Sequence, residues 1–558
     1  MIYDQLNPEQ RLAVDTIDGP LLVLAGPGTG KTQLLSARAM KILEETDTPP
    51  NAILCLTFTE NGAENMHDRL SRFIGEEAYK VAIHTYHGFA QTIISQFPDF
   101  FADKNLQTVI DPITQYQLID QIKSNMASNN ILAKIDNRDI IATIGECKNA
   151  LISPNDLRQI ARFNQAELDR INPLIHDLTK DIKQFRFKFD QGIELYQQLA
   201  EILAPTTQSP LPQIQPISFH PHRELLQALD QATASGKLTE LTAWRKKFLP
   251  KDNHQRYGLT DNLNFYRLTH LADAMEQYQA KVKSAGLYDF NDMILEVIDT
   301  IETCDELRFN LQEKYLYIML DEYQDTNRAQ SKLIELLADA PVHEGRPNIM
   351  AVGDDDQAIF AFQGADYSNM LNFYQRYRDT QLINLSRNYR SAQPILDFST
   401  NLAEQISDRL TNLIDNNSVQ KKLLSANSQL PAPDIRRLDF ETTTAEYKYL
   451  ADSISDLLKQ GVNPNEIAVL PARHHTLEAC TPEATTWAAL LLVWAMAGAE
   501  VARVWGALPW GCIGKWGPGP GLLEFLPWKW VFLFYCIVRL QIFWTFMLCF
   551  PYKTEYLQ

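Results

Sequence analysis

Residues 21–32 read LLVLAGPGTGKT, and this stretch decides the fold. Its first five residues are apolar and predict a buried strand, while residues 33–43 after it have helical spacing. The turn between them fits the pattern G-x-x-x-x-G-K-[ST], and its key positions are Gly26, Gly28, Gly30, Lys31 and Thr32. Glycines let backbone N–H groups approach phosphate, Lys31 can reach the terminal phosphate oxygens, and the Thr32 hydroxyl can hold Mg²⁺. The stretch therefore predicts a nucleotide-phosphate site, and a chance glycine-rich turn is the alternative.

Five further apolar runs have the length and the flanking turns of buried parallel strands. They are residues 53–58, 81–85, 316–320, 349–353 and 382–385. A mostly helical stretch at about 106–285, rich in Gln, Asn, Asp and Leu, separates the first group of strands from the second. The simplest fold is a parallel α/β sheet that is interrupted by a helical insertion.

An acidic pair, Asp321 and Glu322, directly follows the apolar run at 316–320. In nucleotide hydrolases an acidic residue at this strand end holds the Mg²⁺ shell. A neighbouring glutamate can orient or deprotonate the attacking water. In a chain with a phosphate loop, we interpret this pair as the second half of the site; a solvated acidic pair is the alternative.

Composition limits the class of protein. The chain has 558 residues, enough for several domains, and a net charge of -18. That charge excludes a uniformly basic nucleic-acid-binding protein, although it does not exclude a local basic groove. The seven cysteines are scattered without a C-x-x-C pair, and the polar N-terminus does not have the pattern of a signal peptide. These features predict a cytoplasmic protein with reduced thiols and no zinc framework.

Further segments resemble, in the same order, the motifs of the UvrD/Rep family of superfamily-one helicases. The matching segments are LNPEQRLAV (6–14), AGPGTGKT (25–32), LTFTENGAENMHDRL (56–70), HTYHGFA (84–90), LDEYQDT (320–326), AVGDDDQAIFAFQGAD (351–366) and LSRNYRS (385–391). GLYDFNDMI (286–294) also resembles a family segment. The resemblance implies a P-loop NTPase (RecA-like) sheet at 1–105 and 286–380, a helical insertion subdomain at 106–285, and a partial second RecA-like domain at 381–478.

The resemblance also implies which residues hold ATP and Mg²⁺. Gln10 would read adenine, Tyr389 would stack on it, and Arg38 would lie near the nucleotide. The phosphates, the metal and the attacking water would fall to Lys31, Thr32, Asp321 and Glu322, with Thr32 and Asp321 at the metal. Gln357 would sense the γ-phosphate, and Arg390 would reach it as an arginine finger.

Single-stranded DNA is the expected partner. By resemblance, Phe58, Phe360 and Phe362 would stack on bases, although core packing is the alternative for any single phenylalanine. Contacts to the DNA backbone, or residues that couple the two sites, would be Thr57, Thr59, His84 and Tyr86. The family usually has Trp-Arg where this chain has Phe362 and Gln363, so a positive charge is missing there.

The region after residue 381 matches the family only at its start. Residues 444–460 have helical spacing, Gly461 is a stop signal, and residues 467–470 predict a strand. Beyond residue 478 lie eight of the nine tryptophans and four of the seven cysteines. Three interpretations of 479–558 stay open: a membrane anchor, a divergent core segment, or an out-of-frame or mis-assembled terminus. The abrupt change in composition favours the last, and no membrane partner is expected.

The function implied by the resemblance is that of an ATP-dependent DNA helicase or translocase. It would move 3′ to 5′ on single-stranded DNA or on DNA with a 3′ single-stranded tail. Because the family's late motifs find no match in the sequence, we expect unwinding to be weak. The alternatives are a non-catalytic fragment that binds ATP and single strands, and a subunit of a helicase–nuclease.

Overall fold

A computed structural model describes residues 2–471 except for short gaps. The gaps are 105–107, 128–129, 183–184, 186, 207–208, 210, 212–213, 252–255, 260–264, 359–367, 407–408, 411–420, 428–429 and 431–432. Phe360, Phe362 and the tryptophan-rich tail at 479–558 lie outside the described residues. The chain divides after Asp434 into two units, which are described separately.

The strands of the first unit are, in chain order, β1 (Leu21–Ala25), β2 (Ile53–Thr57), β3 (Ala82–Thr85), β4 (Thr108–Val109), β5 (Leu287–Tyr288), β6 (Tyr317–Leu320), β7 (Ile349–Gly353), β8 (Gln381–Leu385), β9 (Arg387–Asn388) and β10 (Leu424–Ser425). Six of them form one sheet in the order β3-β2-β6-β7-β1-β8, and every pair in it is parallel. This confirms the predicted α/β class, and each of the six predicted strands is present.

Strand β8 belongs to the six-stranded sheet, although its residues were predicted to begin the second domain. Strand β8 pairs with β1 along its whole length, from Leu21 opposite Gln381 to Ala25 opposite Leu385. The predicted boundary of the first domain is residue 380, but backbone hydrogen bonding adds residues 381–385 to its sheet. The two-stranded pair of β9 and β10 begins immediately afterwards.

The helices of the first unit are α1 (Pro8–Asp15), α2 (Lys31–Glu45), α3 (Glu60–Ile74), α4 (Tyr86–Gln96), α5 (Pro112–Ser124), α6 (Asn137–Asn149), α7 (Pro154–Thr179), α8 (Phe189–Leu203), α9 (Phe219–Ser235), α10 (Thr239–Phe248), α11 (Phe265–Ser284), α12 (Phe290–Thr303), α13 (Asp305–Lys314), α14 (Arg328–Ala338), α15 (Ser368–Arg376) and α16 (Gln393–Ala403). Those from α5 to α11 make up the helical insertion.

Two hydrophobic layers cover the sheet. Alternate strand residues point to opposite faces, so Leu22 and Leu24 join one layer while Leu21 and Val23 join the other. The first layer includes residues of α4 and of α12 to α15, and the second includes residues of α1, α2 and α3. Burial on both faces explains why these strands are continuous apolar runs in the sequence.

The helical insertion has two clusters of its own. One cluster joins α7 to α10, and the other joins α5, α6 and α11. The short parallel pair of β4 and β5 lies where the insertion leaves and rejoins the sheet domain. The insertion is therefore packed independently of the sheet and is connected to it at few points.

A buried ion-pair cluster connects the insertion to the sheet domain. Lys148, near the end of α6, is 1% exposed and pairs with Asp289 and, at 2.6 Å, with Asp292. Asp289 caps the N-terminus of α12, so the ammonium group connects α6 to the start of α12. The Lys148 ammonium also lies 5.5 Å from the ring centroid of Tyr278 on α11. One cation thus joins three helices.

The second unit contains helix α17 (Thr443–Lys459), which agrees with the predicted helix at 444–460. Gly461 follows it with a φ of +86°, the left-handed conformation that ends many helices. The predicted strand at 467–470 is wrong: these residues are irregular, and Leu470 is 93% exposed. Among the described helices, none is both long enough and apolar enough to cross a membrane.

The Lys148 cluster gives a prediction about stability. The change Lys148→Met should lower the free energy of unfolding by about 3–5 kcal/mol, because it leaves the buried Asp289 and the partly buried Asp292 without their cation. Urea denaturation measures the loss. The matched control is Lys180→Met, because Lys180 pairs with Asp177 in an exposed i,i+3 pair and should contribute little. Equal, small losses in both variants would contradict the proposed importance of the buried cluster.

Candidate active site

The loop between β1 and α2 has the shape of a phosphate cradle. Gly28 and Gly30 adopt φ values of +70° and +87°, which only glycine adopts readily. Gly30 is the N-cap of α2, and no side chain accepts a hydrogen bond there, so the helix N-terminus is directed at the loop. A Cβ on Gly26 would lie 2.9 Å from Leu423 Cδ1. The Leu423 side chain therefore packs closely against the loop at this position.

The predicted phosphate lysine meets the predicted acidic pair. Lys31 Nζ lies 2.5 Å from Glu322 Oε2, and the Glu322 N–H donates to Asp321 Oδ1 at 3.0 Å. Glu322 has a φ of +49°, a left-handed conformation that is rare for glutamate and typical of functional sites. Burial and the neighbouring Glu322 carboxylate together raise the pKa of Asp321 to about 6, although Lys31 opposes the change.

Oxygen donors are present at the same edge of the sheet. Asp321 is 7% exposed and directly follows β6, and Thr32 is the second residue of α2, next to Lys31. A carboxylate and a hydroxyl are hard oxygen ligands, the type that Mg²⁺ prefers. The donor set therefore fits the magnesium ion that the sequence motif implies.

The buried Gln324, which has no predicted role, connects Glu322 to Asp325 and to the loop after β7. Gln324 is 1% exposed, and its amide nitrogen donates to Glu322 Oε2 at 2.9 Å and to Asp325 Oδ2 at 3.2 Å. Its Oε1 accepts from the Asp354 N–H at 3.0 Å. A Cβ on Gly353 would lie 2.5 Å from this oxygen, so glycine is needed there. The glutamine in LDEYQDT was the only signal for this role in the sequence.

Gln357, the predicted γ-phosphate sensor, lies in the loop after β7. Its Nε2 donates to Asp354 Oδ2 at 2.7 Å. The Asp354 N–H donates to Gln324, which bonds to Glu322. A continuous hydrogen-bonded path therefore connects Gln357 to Glu322. Lys31, Glu322 and Gln357 thus belong to one hydrogen-bonded network.

Two predicted adenine contacts meet at the other side of the phosphate loop. Gln10 is 2% exposed, and its Nε2 donates to the Thr29 carbonyl at 2.8 Å. Asn7 exchanges capping hydrogen bonds with Gln10 and donates to the Tyr389 hydroxyl at 3.0 Å. The Tyr389 N–H in turn donates to the Gly28 carbonyl at 2.9 Å. Asn7, which had no assigned role, therefore joins Gln10 to Tyr389.

The segment with the predicted arginine finger rests on the phosphate loop. Asn388 is fully buried, and its side-chain amide donates to the Pro27 carbonyl. Its Oδ1 accepts from the backbone N–H groups of Arg390 and Ser391, at 2.9 and 2.7 Å. Arg390 itself is exposed. Asn388 fixes the backbone from which Arg390 extends.

Arg38 is buried between α2 and the end of α1. It is 1% exposed, and its guanidinium donates to the carbonyls of Ala13, Thr16 and Ile17 at the end of α1. Burial lowers the pKa of Arg38 to about 10. These contacts support a structural role in holding α1 on α2, and its expected place beside the nucleotide gains no support.

The residues expected at DNA have mixed environments. Thr59 caps α3 by accepting from the Gly62 N–H at 3.0 Å, and Thr57 is buried. Tyr86 is 1% exposed within the core, and His84 is half-buried, which lowers its pKa. Phe58 lies directly after β2 and is partly exposed. Of this set, Phe58 has the clearest position for contact with a ligand.

Phe58 lines a cavity of about 500 Å³ between the sheet domain and the insertion. Phe290, which is 55% exposed, stacks on His87 there, with 3.9 Å between ring centroids. Burial lowers the pKa of His87 to about 4, so the ring is neutral. Asp325 also lines the cavity, and Asp325 is the residue that Gln324 connects to Glu322. Phe290 lies in the segment GLYDFNDMI and has no predicted role.

Two family models match the chain. The model of the UvrD/REP helicase N-terminal domain matches residues 6–230 and 174–378, and that of the UvrD-like helicase C-terminal domain matches residues 383–480. ATP-dependent DNA helicase PcrA of Staphylococcus epidermidis is 27% identical over 470 residues, which are 84% of this chain and 48% of the relative. PcrA of Staphylococcus aureus is 26% identical over 408 residues, with shares of 73% and 41%. The chain thus spans about half the length of these curated relatives.

The close packing at Gly28 gives a prediction about nucleotide affinity. A Cβ there would lie 2.7 Å from Arg390 Cβ and 2.9 Å from Asn388 Nδ2. We expect Gly28→Ala to raise the dissociation constant for ATP about tenfold or more, measured by titration calorimetry. Gly236→Ala is the control, because Gly236 has a φ of +67° with open space around it. It should lose about 1 kcal/mol of stability and retain its affinity. An unchanged affinity in Gly28→Ala would contradict the assignment of this loop.

Proposed function

Because the chain belongs to the UvrD/REP helicase family, we propose that it is an ATP-dependent DNA motor that moves 3′ to 5′ along single-stranded DNA. The observation that carries the proposal is the hydrogen-bonded path from Lys31 through Glu322 and Gln324 to Asp325. This path begins at the phosphate loop and ends at the cavity that contains Phe58. A motor requires such a connection, because nucleotide chemistry must change the grip on DNA.

The resting contact of Lys31 indicates how the phosphate site works. The Glu322 carboxylate stands at Lys31 in the place of phosphate oxygens. When ATP binds, its phosphates compete for the Lys31 ammonium and release Glu322. A released carboxylate at this position can accept a proton from the attacking water. The lysine–glutamate pair therefore places a candidate base beside the phosphate loop.

Charge on the transferred phosphate needs further stabilisation. Arg390 is exposed on a segment that rests on the phosphate loop, so its guanidinium can approach the γ-phosphate. Charge neutralisation by such an arginine can accelerate hydrolysis by ~10³ or more. Thr32 and Asp321 would hold Mg²⁺, which supplies further positive charge at the phosphates when bound.

The cavity beside Phe58 suits a nucleic-acid base. Phe58 and Phe290 offer aromatic surfaces, and the polar side chains of Gln115, Asn149 and Asn291 line the same space. Stacking on aromatic rings contributes about 1–3 kcal/mol per base and tolerates any sequence. These features support single-stranded DNA, or DNA with a 3′ single-stranded tail, as the partner. The proposed place of action is the cytoplasm.

A non-catalytic protein that binds ATP and single strands is the second candidate. This candidate is favoured by Gln363, which stands where the family usually has arginine, so that a positive charge is missing there. We also propose that unwinding is weak. Both candidates bind nucleotide and DNA, so binding alone does not separate them. Turnover does, because only a motor hydrolyses ATP faster when DNA is present.

We therefore expect single-stranded DNA to stimulate ATP hydrolysis strongly in the parent chain, as measured by phosphate release. Lys31→Met should abolish turnover because the phosphates lose their cation, whereas Lys180→Met, at an exposed site, should behave like the parent. Phe58→Ala should weaken DNA binding and retain hydrolysis without DNA. DNA binding without any stimulated turnover in the parent would favour the non-catalytic candidate.

A further inference from the structure

Three consecutive aspartates in the loop after β7 surround one lysine. We call residues Asp354, Asp355 and Asp356 the acidic triplet. Lys421 Nζ lies 3.0 Å from Asp354 Oδ1 and 3.6 Å from Asp356 Oδ2, and it also pairs with Asp355. Arg409 adds a two-pronged contact to Asp356, at 2.6 and 2.8 Å. The triplet is thus clamped by two cations from a later part of the chain.

This cluster is shielded from water. The side chains of Lys421, Asp354 and Asp355 are 9%, 7% and 5% exposed. Burial lowers the pKa of Lys421, but the three aspartates more than offset it, so the pKa is raised overall. Burial raises the pKa of Asp354, but Lys421 and the hydrogen bond from Gln357 outweigh it and hold that pKa below its ordinary value. The geometry and these shifts agree on a charged ion pair between Lys421 and Asp354.

The carboxylate oxygens of the triplet lie within 4.8 Å of one another, a spacing that could hold a metal ion. The Lys421 ammonium already occupies the position between them. The buried Lys421 ammonium thus balances negative charge of the acidic triplet, as a metal ion would do at this position.

The ion pairs between Lys421 and the acidic triplet connect two parts of the predicted nucleotide site. On one side, Asp354 bonds to Gln357 and, through Gln324, to Glu322. On the other side, Lys421 lies just before β10, which pairs with β9, the strand that leads into the Arg390 segment. Lys421 therefore contacts the loop that contains Gln357. It also lies close in the chain to β10, which pairs with the strand next to Arg390.

Resting on the proposed function, we propose that Lys421 is a positioning residue for the triphosphate: by cancelling charge in the acidic triplet, it lets the Gln357 loop approach the γ-phosphate. Without Lys421, Arg409 alone would face three carboxylates beside the phosphate site. The excess negative charge would repel the γ-phosphate, which a diphosphate does not have. Lys421 therefore sets the preference of the site for a triphosphate over a diphosphate.

Binding measurements test this role without requiring turnover. The probes are adenylyl imidodiphosphate, a non-hydrolysable ATP analogue, and ADP, each with Mg²⁺, titrated into the full chain. In Lys421→Met, the analogue should bind about tenfold more weakly, which corresponds to about 1.4 kcal/mol. ADP affinity should stay within about twofold of the parent, because ADP has no γ-phosphate for the acidic triplet to repel.

Lys422→Met is the matched control, since the neighbouring Lys422 is exposed and outside the ion-pair cluster. It should bind both probes like the parent. The double variant Lys421→Met/Asp355→Asn removes one negative charge together with the positive one, and it should recover the preference for the analogue. This double variant also carries the test if Lys421→Met does not fold.

The outcomes separate the two proposals. If the parent binds neither probe, the proposed function fails. If the parent binds both and Lys421→Met keeps the parent's preference, the role of Lys421 is overturned. If the double variant folds but still does not prefer the analogue, charge cancellation is overturned. Equal weakening of both probes in Lys421→Met would assign Lys421 a purely structural role and would likewise overturn the proposal.

Discussion

The side-chain amide of Gln324 lies buried between three chain segments and bonds to all of them. Its two N–H groups donate to Glu322 and Asp325, and its oxygen accepts from the backbone of Asp354. An amide has two donors and one acceptor oxygen, so each function of this group is used. A buried, fully bonded polar network is rigid, and loss of any one member would leave others unsatisfied. The phosphate site, the sensor loop and the cavity therefore depend on one side chain for their relative positions.

The parallel sheet explains why these residues can meet. Strands β1, β2, β6 and β7 are neighbours, and each ends at the same edge with a residue of the site. Lys31 follows β1 by way of the phosphate loop, Phe58 follows β2, Asp321 follows β6, and Asp354 follows β7. Open α/β sheets bind ligands at this edge. Backbone hydrogen bonding thus brings together residues that are hundreds of positions apart in the chain.

The sequence was sufficient for features that depend on local pattern. The apolar runs predicted each of the six strands, and the glycine spacing predicted the loop that holds Lys31. The sequence was insufficient for features that depend on contacts between distant parts of the chain. The apolar run at 467–470 has the composition of a strand, yet Leu470 is almost fully exposed. No local pattern predicted that the Arg38 guanidinium donates to three carbonyls at the end of α1. Nothing in the local pattern distinguishes Lys421 from Lys422, because only the folded chain places one of them among three aspartates.

The pairing of β8 with β1 has a consequence for dissecting this chain into pieces. The two family matches stop at residue 378 and resume at residue 383, so a cut chosen from them would separate β8 from the sheet. Strand β1 would then become an outer strand, with its peptide groups open to neighbouring molecules. Since β1 leads directly into the phosphate loop, such a fragment would expose its most sensitive segment to self-association. An isolated nucleotide-binding fragment should therefore extend beyond Leu385.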